Sequence, residues 1–395
     1  MTDPFLNANL GIHSAQRASG DAAYRVLTPA DFDGAVQEIT RWDGYAPTPL
    51  VELTSIAADL GVGAIHYKHE GPRFGLGSFK ALGAAYAALR VLQRELSRRS
   101  GQEVSLDEIR RGEHADQCAE ITLASATDGN HGRSLAWGCR MFGAKCRIYI
   151  HAEVSEGRAQ AMRDLGAEVK RIDGDYDDSV ELARVEAEQN GWFVVSDTSW
   201  PGYTQPPLDV MAGYGVMTFE ACDAMDQAPT HVFLQGGVGG LAASVAAALR
   251  QYWKEDAPRV IVVEPELAAC LYESSRAGAA KTVHIAEETI MAGLSCGEPS
   301  ELAWDILREE ASDFVTIPDT IVAPTVRRLA RPEGADPAVE AGESAVAGLA
   351  ALIALCGTTD LREALGLDAT ARVLLIGSEG VTDPEIFAQI MEGRL

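Results

Sequence analysis

No apolar run in this chain of 395 residues reaches the roughly 20 residues that a membrane-spanning helix needs. The opening stretch, MTDPFLNANL, contains an acidic residue and no apolar core, so no signal peptide is expected. Cysteine is sparse and scattered. The seven residues (Cys118, Cys139, Cys146, Cys222, Cys270, Cys296 and Cys356) are an odd number with no C-x-x-C pair. That argues against a zinc cluster and for a reducing cytoplasm, with buried free thiols; Cys270 and Cys296 are the two that could still meet in the fold. Positive charge is also scarce: Lys and Arg total 33 against 58 Asp and Glu, a net charge of −25. Such a surface repels phosphate backbones and anionic lipid, so neither nucleic acid nor membrane is an expected partner. An anionic ligand would need a local positive site set against that field.

The length exceeds what one core usually organises, so two domains or lobes are expected. From residue 64 onward, strand-like and helix-like segments alternate. AIHYKHE (64–70) has the pattern of a strand. FKALGAAYAALRVLQREL (79–96) has the pattern of a helix, because Phe79, Leu82, Tyr86, Leu89 and Leu92 recur at spacings of three and four. Residues 97–119 are charged and irregular, which predicts a surface insertion. The strands EITLASA, KCRIYIH, EVKRIDG, WFVVSD, HVFLQGG, RVIVVEP and RVLLIGSEG follow, with helices between most of them. This alternation predicts an α/β fold of mainly parallel sheets covered by helices on both faces. Ligands in such folds sit at the carboxyl ends of strands, so the loops after strands are the informative ones.

Four of those loops stand out. The first, GPRFGLGSFKALG (71–83), runs through three glycines to Lys80 at a helix start, where a cation is unwelcome unless it has a task. The second, SATDGNHGR (125–133), holds Asp128, Asn130 and His131; Asn130 offers both a donor and an acceptor, and His131 suits a loop-orienting role. The third is LQGGVGGLA (234–242). Its glycines let the backbone approach an anion at a helix N-terminus with no basic side chain, although a tight strand-to-helix turn needs the same residues. Glu264 at the end of the next strand suggests a dinucleotide site, but the G-x-G-x-x-G order is missing. The fourth is IGSEGVTDP (376–384). Elsewhere His66 and His69 point to opposite faces of one strand, so no metal is expected there. The stretch GESAVAGLAAL (342–352) reads as a core helix.

Taken together, Lys80 in SFK, Asn130 in GNHG and the later GGVGG match in order and spacing the marks of the fold-type II (tryptophan synthase β) group of pyridoxal-phosphate enzymes, which the chain resembles. The resemblance implies two lobes: a large cofactor-binding domain over 1–90 and 216–395, and a small mobile domain over 91–215. It implies that pyridoxal 5′-phosphate forms its Schiff base with Lys80. It also implies that Asn130 contacts the ring 3-oxygen, that Gly236, Gly237, Val238, Gly239 and Gly240 hold the phosphate, and that Ser378 faces the pyridine nitrogen. A homodimer is implied as well. The stretches RFGLGSFKALGAAYA, ATDGNHGR, SDTSWPGYT, MAGLSCGEPS and EAGESA look like the diaminopropionate ammonia-lyases of that group.

That narrower likeness implies a carbon–nitrogen lyase that converts 2,3-diaminopropionate (D and/or L) to pyruvate and two ammonia. Ser125, Thr127, Asp128, Asp197 and Tyr203 would then surround the amino-acid substrate. Lys80 and Asp128 would act as bases on opposite faces, and Asp197 would hold the extra ammonium or assist its proton traffic. Asp197 could instead cap the following turn. The alternative activity is a serine/threonine or hydroxyaspartate dehydratase on the same scaffold; two carboxylates suit a substrate with a second cationic amine better than one with a hydroxyl.

Overall fold

The structure, a computed structural model, describes residues 4–6, 8–18, 20–127, 129–174 and 176–395. Asp128 therefore lies outside the described residues. Eleven strands are present among them: β1 (Gly11–Ser14), β2 (Leu50–Glu52), β3 (Ala64–His69), β4 (Thr122–Ala126), β5 (Lys145–Ile150), β6 (Glu168–Arg171), β7 (Phe193–Val194), β8 (His231–Gln235), β9 (Arg259–Pro265), β10 (Ala311–Ile317) and β11 (Arg372–Gly377). The helices that bear on the site are α1 (Lys80–Ser100), α2 (Asn130–Phe142), α3 (Gln205–Asp223), α4 (Gly240–Trp253) and α5 (Cys270–Ala277).

The chain divides into two compact units. The first comprises Met1–Pro29, Ala46–Ser78 and Met217–Leu395. Its seven-stranded sheet has the order β1-β10-β9-β8-β11-β3-β2. The five central strands run parallel, and β1 and β2 are antiparallel edges. Strand β8, HVFLQ, is buried along its whole length, as a strand covered on both faces must be. The expected core helix is found as a 3₁₀ turn (Ser344–Val346) leading into a helix (Ala347–Cys356) that is buried from Ala347 to Leu355.

An ion cluster in this unit fixes the chain just before the SFK stretch. Arg73 donates to Glu70 (2.8 Å) and to Glu220 (2.8 Å), and Lys68 donates to Glu220 (2.6 Å). Lys68, Glu70 and Arg73 have at most 1% of their surface exposed, so each charge depends on its partners. Beyond Arg73 the backbone turns through Phe74 (φ +50°), Gly75 (+69°) and Gly77 (+83°), which explains two of the three glycines of that loop.

The second unit comprises Ala30–Tyr45 and Phe79–Val216, with a four-stranded parallel sheet in the order β6-β5-β4-β7. The stretch expected to be irregular is largely helical: α1 continues to Ser100, and Leu106–Arg110 and Ala115–Cys118 form short helices. The missed signal is a capping box, in which the Ser105 hydroxyl accepts from the Glu108 backbone and the Glu108 carboxylate from the Ser105 backbone. Among the described residues no single helix is long and apolar enough to cross a membrane. Cys270 and Cys296 are free thiols, as are the other five cysteines.

Candidate active site

Lys80 is the first residue of α1, where the helix dipole disfavours a cation. Its amine is compensated by Asp197, with which it forms a short ion pair. Asp197 follows β7 in the same unit. Its side chain is 17% exposed and that of Lys80 22%, so the pair is largely shielded from water. His131, in the first turn of α2, places Nδ1 3.7 Å from the same carboxylate. Its Nε2 lies 2.9 Å from the Val195 carbonyl, a distance at which Nε2–H donates and the ring is fixed with Nδ1 toward Asp197. Burial alone would raise the Asp197 carboxyl, but the charges of Lys80 and His131 outweigh it and hold the group well below the usual carboxylate range. Asp197 is thus an anion at any pH the protein meets.

The neighbouring residues shape this triad. Tyr203 accepts from the Ser196 backbone (3.0 Å) and donates to the Val194 carbonyl (2.9 Å), closing the turn that carries Asp197. Trp200 stacks on Tyr203 with ring centroids 4.0 Å apart. Thr127 accepts from the backbones of Gly129 (3.2 Å) and Gly132 (3.4 Å), so its hydroxyl shapes the turn into α2. Ser125 is fully buried at the end of β4. Asn130 opens α2, and its carbonyl accepts from Ser134 (2.8 Å). Two aromatic residues also meet the lysine, Phe79, expected only on the apolar face of the helix, and Tyr214, which the sequence did not single out: the amine lies 5.5 Å from the Phe79 ring centroid and 5.9 Å from that of Tyr214. A tyrosine in the apolar run MAGYGVM carries no periodic sign of such a role.

In the other unit the glycine loop joins β8 to α4. Gly237 (φ +61°) and Gly239 (φ +96°) occupy the left-handed region, and Gly239 is the residue before the helix. The first-turn amides of α4 lack acceptors within the helix and point past this loop. Gly236 is required for another reason: a Cβ there would stand 2.4 Å from the Glu264 Cγ. Glu264 is fully buried and accepts from the backbones of Leu271 (2.9 Å) and Tyr272 (2.7 Å), capping α5. Burial pushes its carboxyl up to about 8, the backbone donors opposing. The acid behind the loop is thus held toward its neutral form, which lessens the negative charge that would oppose an anion there. Glu264 is a cap, which agrees with the sequence argument against a dinucleotide site. Ser378 follows β11 and is buried, with 4% of its surface exposed.

Taken unit by unit, the residues present are of kinds that suit pyridoxal phosphate: a shielded lysine in the one, and in the other a glycine loop at a helix N-terminus and a buried serine. The family model for pyridoxal-phosphate dependent enzymes matches residues 41–379. The diaminopropionate ammonia-lyase of Escherichia coli K12 is 40% identical over 361 residues, 89% of each chain. That of Salmonella typhimurium LT2 is 39% identical over 357 residues, 88% of each. The crystal structure of the Escherichia coli enzyme in complex with an aminoacrylate–PLP azomethine reaction intermediate superimposes with a TM-score of 0.88 at 35% identity, covering 98% of both chains.

Proposed function

Since this chain belongs to the family of pyridoxal-phosphate dependent enzymes, we infer that it is a carbon–nitrogen lyase converting 2,3-diaminopropionate and water to pyruvate and two ammonia. The observation that carries the reading is the Lys80–Asp197–His131 triad, found in a chain so similar to two diaminopropionate ammonia-lyases. The cofactor supplies an electron sink for the pair left at Cα when its proton departs.

The chain's own residues do the rest. Lys80 would carry the cofactor, and its amine, when not so engaged, would accept the Cα proton from one face. Asp128 is the base for the other face, which admits both D- and L-substrate. Asp197, always ionised, receives the Lys80 ammonium and suits the second amine of the substrate, while His131 keeps the carboxylate aimed. The loop Gly236, Gly237, Val238, Gly239 and Gly240 would hold the phosphate at the start of α4, although the Gly236 amide is itself given to the Val263 carbonyl (2.9 Å). Asn130 would take the ring oxygen and Ser378 the ring nitrogen. A hydroxyl at the nitrogen does not protonate it, which favours rapid β-elimination over transamination.

A homodimer in the cytoplasm belongs to the same proposal, as does a division of the chain into a larger cofactor-binding part and a smaller mobile part; both rest on likeness to that group. The assignment of Lys80 is tested by borohydride reduction of the cofactor-loaded chain and peptide mapping. The label is expected on Lys80, and a label on any other lysine would remove it from this role.

A further inference from the structure

Within the first unit the central sheet opens at the carboxyl ends of two neighbouring strands. The parallel pairing of β8 with β11 stops at Phe233–Leu375. Strand β8 stays paired with β9 as far as Gln235–Val263, and β11 with β3 as far as Gly377–His69. The two strands thus follow different neighbours and part at their tips, and ligands of parallel sheets sit in crevices of this kind. One tip leads into the glycine loop and the other into Ser378.

Gln235 spans the gap. It is the last residue of β8, and only 1% of its surface is exposed. Its Nε2 donates to the Ile376 carbonyl (2.6 Å), just past the last β11 residue that β8 pairs with, and to the Ala345 carbonyl (3.2 Å) in the 3₁₀ turn. A side-chain amide therefore makes the bond that the backbone ladder no longer makes. The other side of β11 is fixed as well. The Gly377 carbonyl accepts from the Glu70 backbone (2.8 Å), and a Cβ at Gly377 would stand 2.2 Å from the Tyr67 Cε1. Both partners of Gln235 are acceptors, so its nitrogen must face them. Its amide oxygen is then buried with no hydrogen-bond partner among the described residues. Methionine, of similar length, would fill this space without that cost, so packing does not account for the amide; a donor aimed at two carbonyls does.

We propose that Gln235 is a positioning residue that sets the distance between the glycine loop and Ser378, and so fits the opening to a ligand with a phosphate at one end and a ring nitrogen at the other. This rests on the reading of the loop and Ser378 as the two ends of the cofactor site. Gln235 acts through the backbone that carries them. Gly236 is the next residue along β8, and Ser378 comes two residues after the Ile376 carbonyl that Gln235 holds.

The test uses Gln235→Met in the full chain. The probe is 4′-deoxypyridoxine 5′-phosphate, which has the ring and the phosphate but no aldehyde, so its binding does not depend on a bond to Lys80. Its affinity is read by fluorescence titration, and that of inorganic phosphate by competition against it. The variant should bind the probe about tenfold less tightly, because a spacing set in advance is lost. Inorganic phosphate should bind within about twofold of the parent, because one end alone needs no spacing. An equal loss for both ligands makes Gln235 a support of the glycine loop alone and overturns the proposal, as does no loss for either. Gln235→Asn keeps the amide but draws it back by one methylene; it should give the same split, and it decides the matter if the methionine variant does not fold. The two readings fail differently: a parent chain that does not bind the probe defeats the cofactor site, whereas a parent that binds it and a variant that matches defeat only the spacing role.

Discussion

Replacing Glu264 by glutamine should change how stability depends on pH, and the size follows from the site. The folded carboxyl titrates near 8 against an ordinary 4.5, and the group has no exposed surface to screen the effect. Between those two values the folded chain binds a proton that the unfolded chain has released. Stability contributed by this group is therefore complete below about pH 4.5 and is lost as pH rises through 8. A difference of about 3.5 units corresponds to about 5 kcal/mol across that window.

Glutamine cannot titrate, so the variant lacks this decline. It also presents an NH₂ to one of the two backbone amides that Glu264 now caps, at a cost of about 1–3 kcal/mol. The variant should thus be less stable than the parent at pH 5 and more stable at pH 9. Urea denaturation of the cofactor-free chain at intervals of one pH unit reads this directly. Cofactor affinity offers a second signal. Above pH 8 the parent acquires a carboxylate behind the phosphate loop and should bind the cofactor less tightly, while the variant should not. Parallel stability curves from pH 5 to 9 would refute the buried, neutral acid.

Gly239→Ala places a side chain at φ +96° with its Cβ 3.0 Å from that of Ala303, and should cost about 1–3 kcal/mol of stability and weaken cofactor binding, read by thermal melting and by fluorescence titration with pyridoxal phosphate. Equal affinity in that variant would mean the loop does not hold the phosphate. Asp197→Asn should flatten the acid side of the stability curve. The folded carboxyl ionises at lower pH than the unfolded one, so its stabilisation is present above about pH 4 and is lost on acidification, and the variant has none to lose. An acid limb unchanged between pH 5 and 3 would show that the Lys80 pair contributes nothing. Ser378→Asp should raise transamination by-products from diaminopropionate, detected by chromatography of the spent cofactor; an unaltered product mix would remove Ser378 from the ring nitrogen.

The parts of the site that depend on backbone were legible in the sequence. Glycine at 75, 77, 237 and 239 is demanded by positive φ, and that demand shows in one dimension. Lys80 was legible because a cation opening an apolar helix violates a local preference. Eight of the eleven strands were legible as a period or an apolar run; the edge strands β1 and β2 and the strand β10 were not read. WFVVSD was read too long: it pairs only at Phe193–Val194, and Asp197 lies beyond it. The helices within 97–119 were hidden by their charge, although the capping box was there to be found. What could not be read was proximity. Nothing near Tyr214 in the sequence links it to Lys80, and its place is set by Gly83 and Gly213, which read as ordinary helix residues. Glu264 looked like a ligand-binding acid because it ends a strand, whereas the tertiary fold made it a cap. Aligning Asp197 with His131 required the fold as well.

The central claim is that this lysine site releases two amines from one substrate. Purified chain reconstituted with pyridoxal phosphate and supplied separately with D- and L-2,3-diaminopropionate tests it, with pyruvate and ammonia quantified together. Pyruvate and ammonia in a ratio of one to two are expected, with serine turned over poorly. Inert diaminopropionate, with serine yielding pyruvate and ammonia one to one, would contradict it.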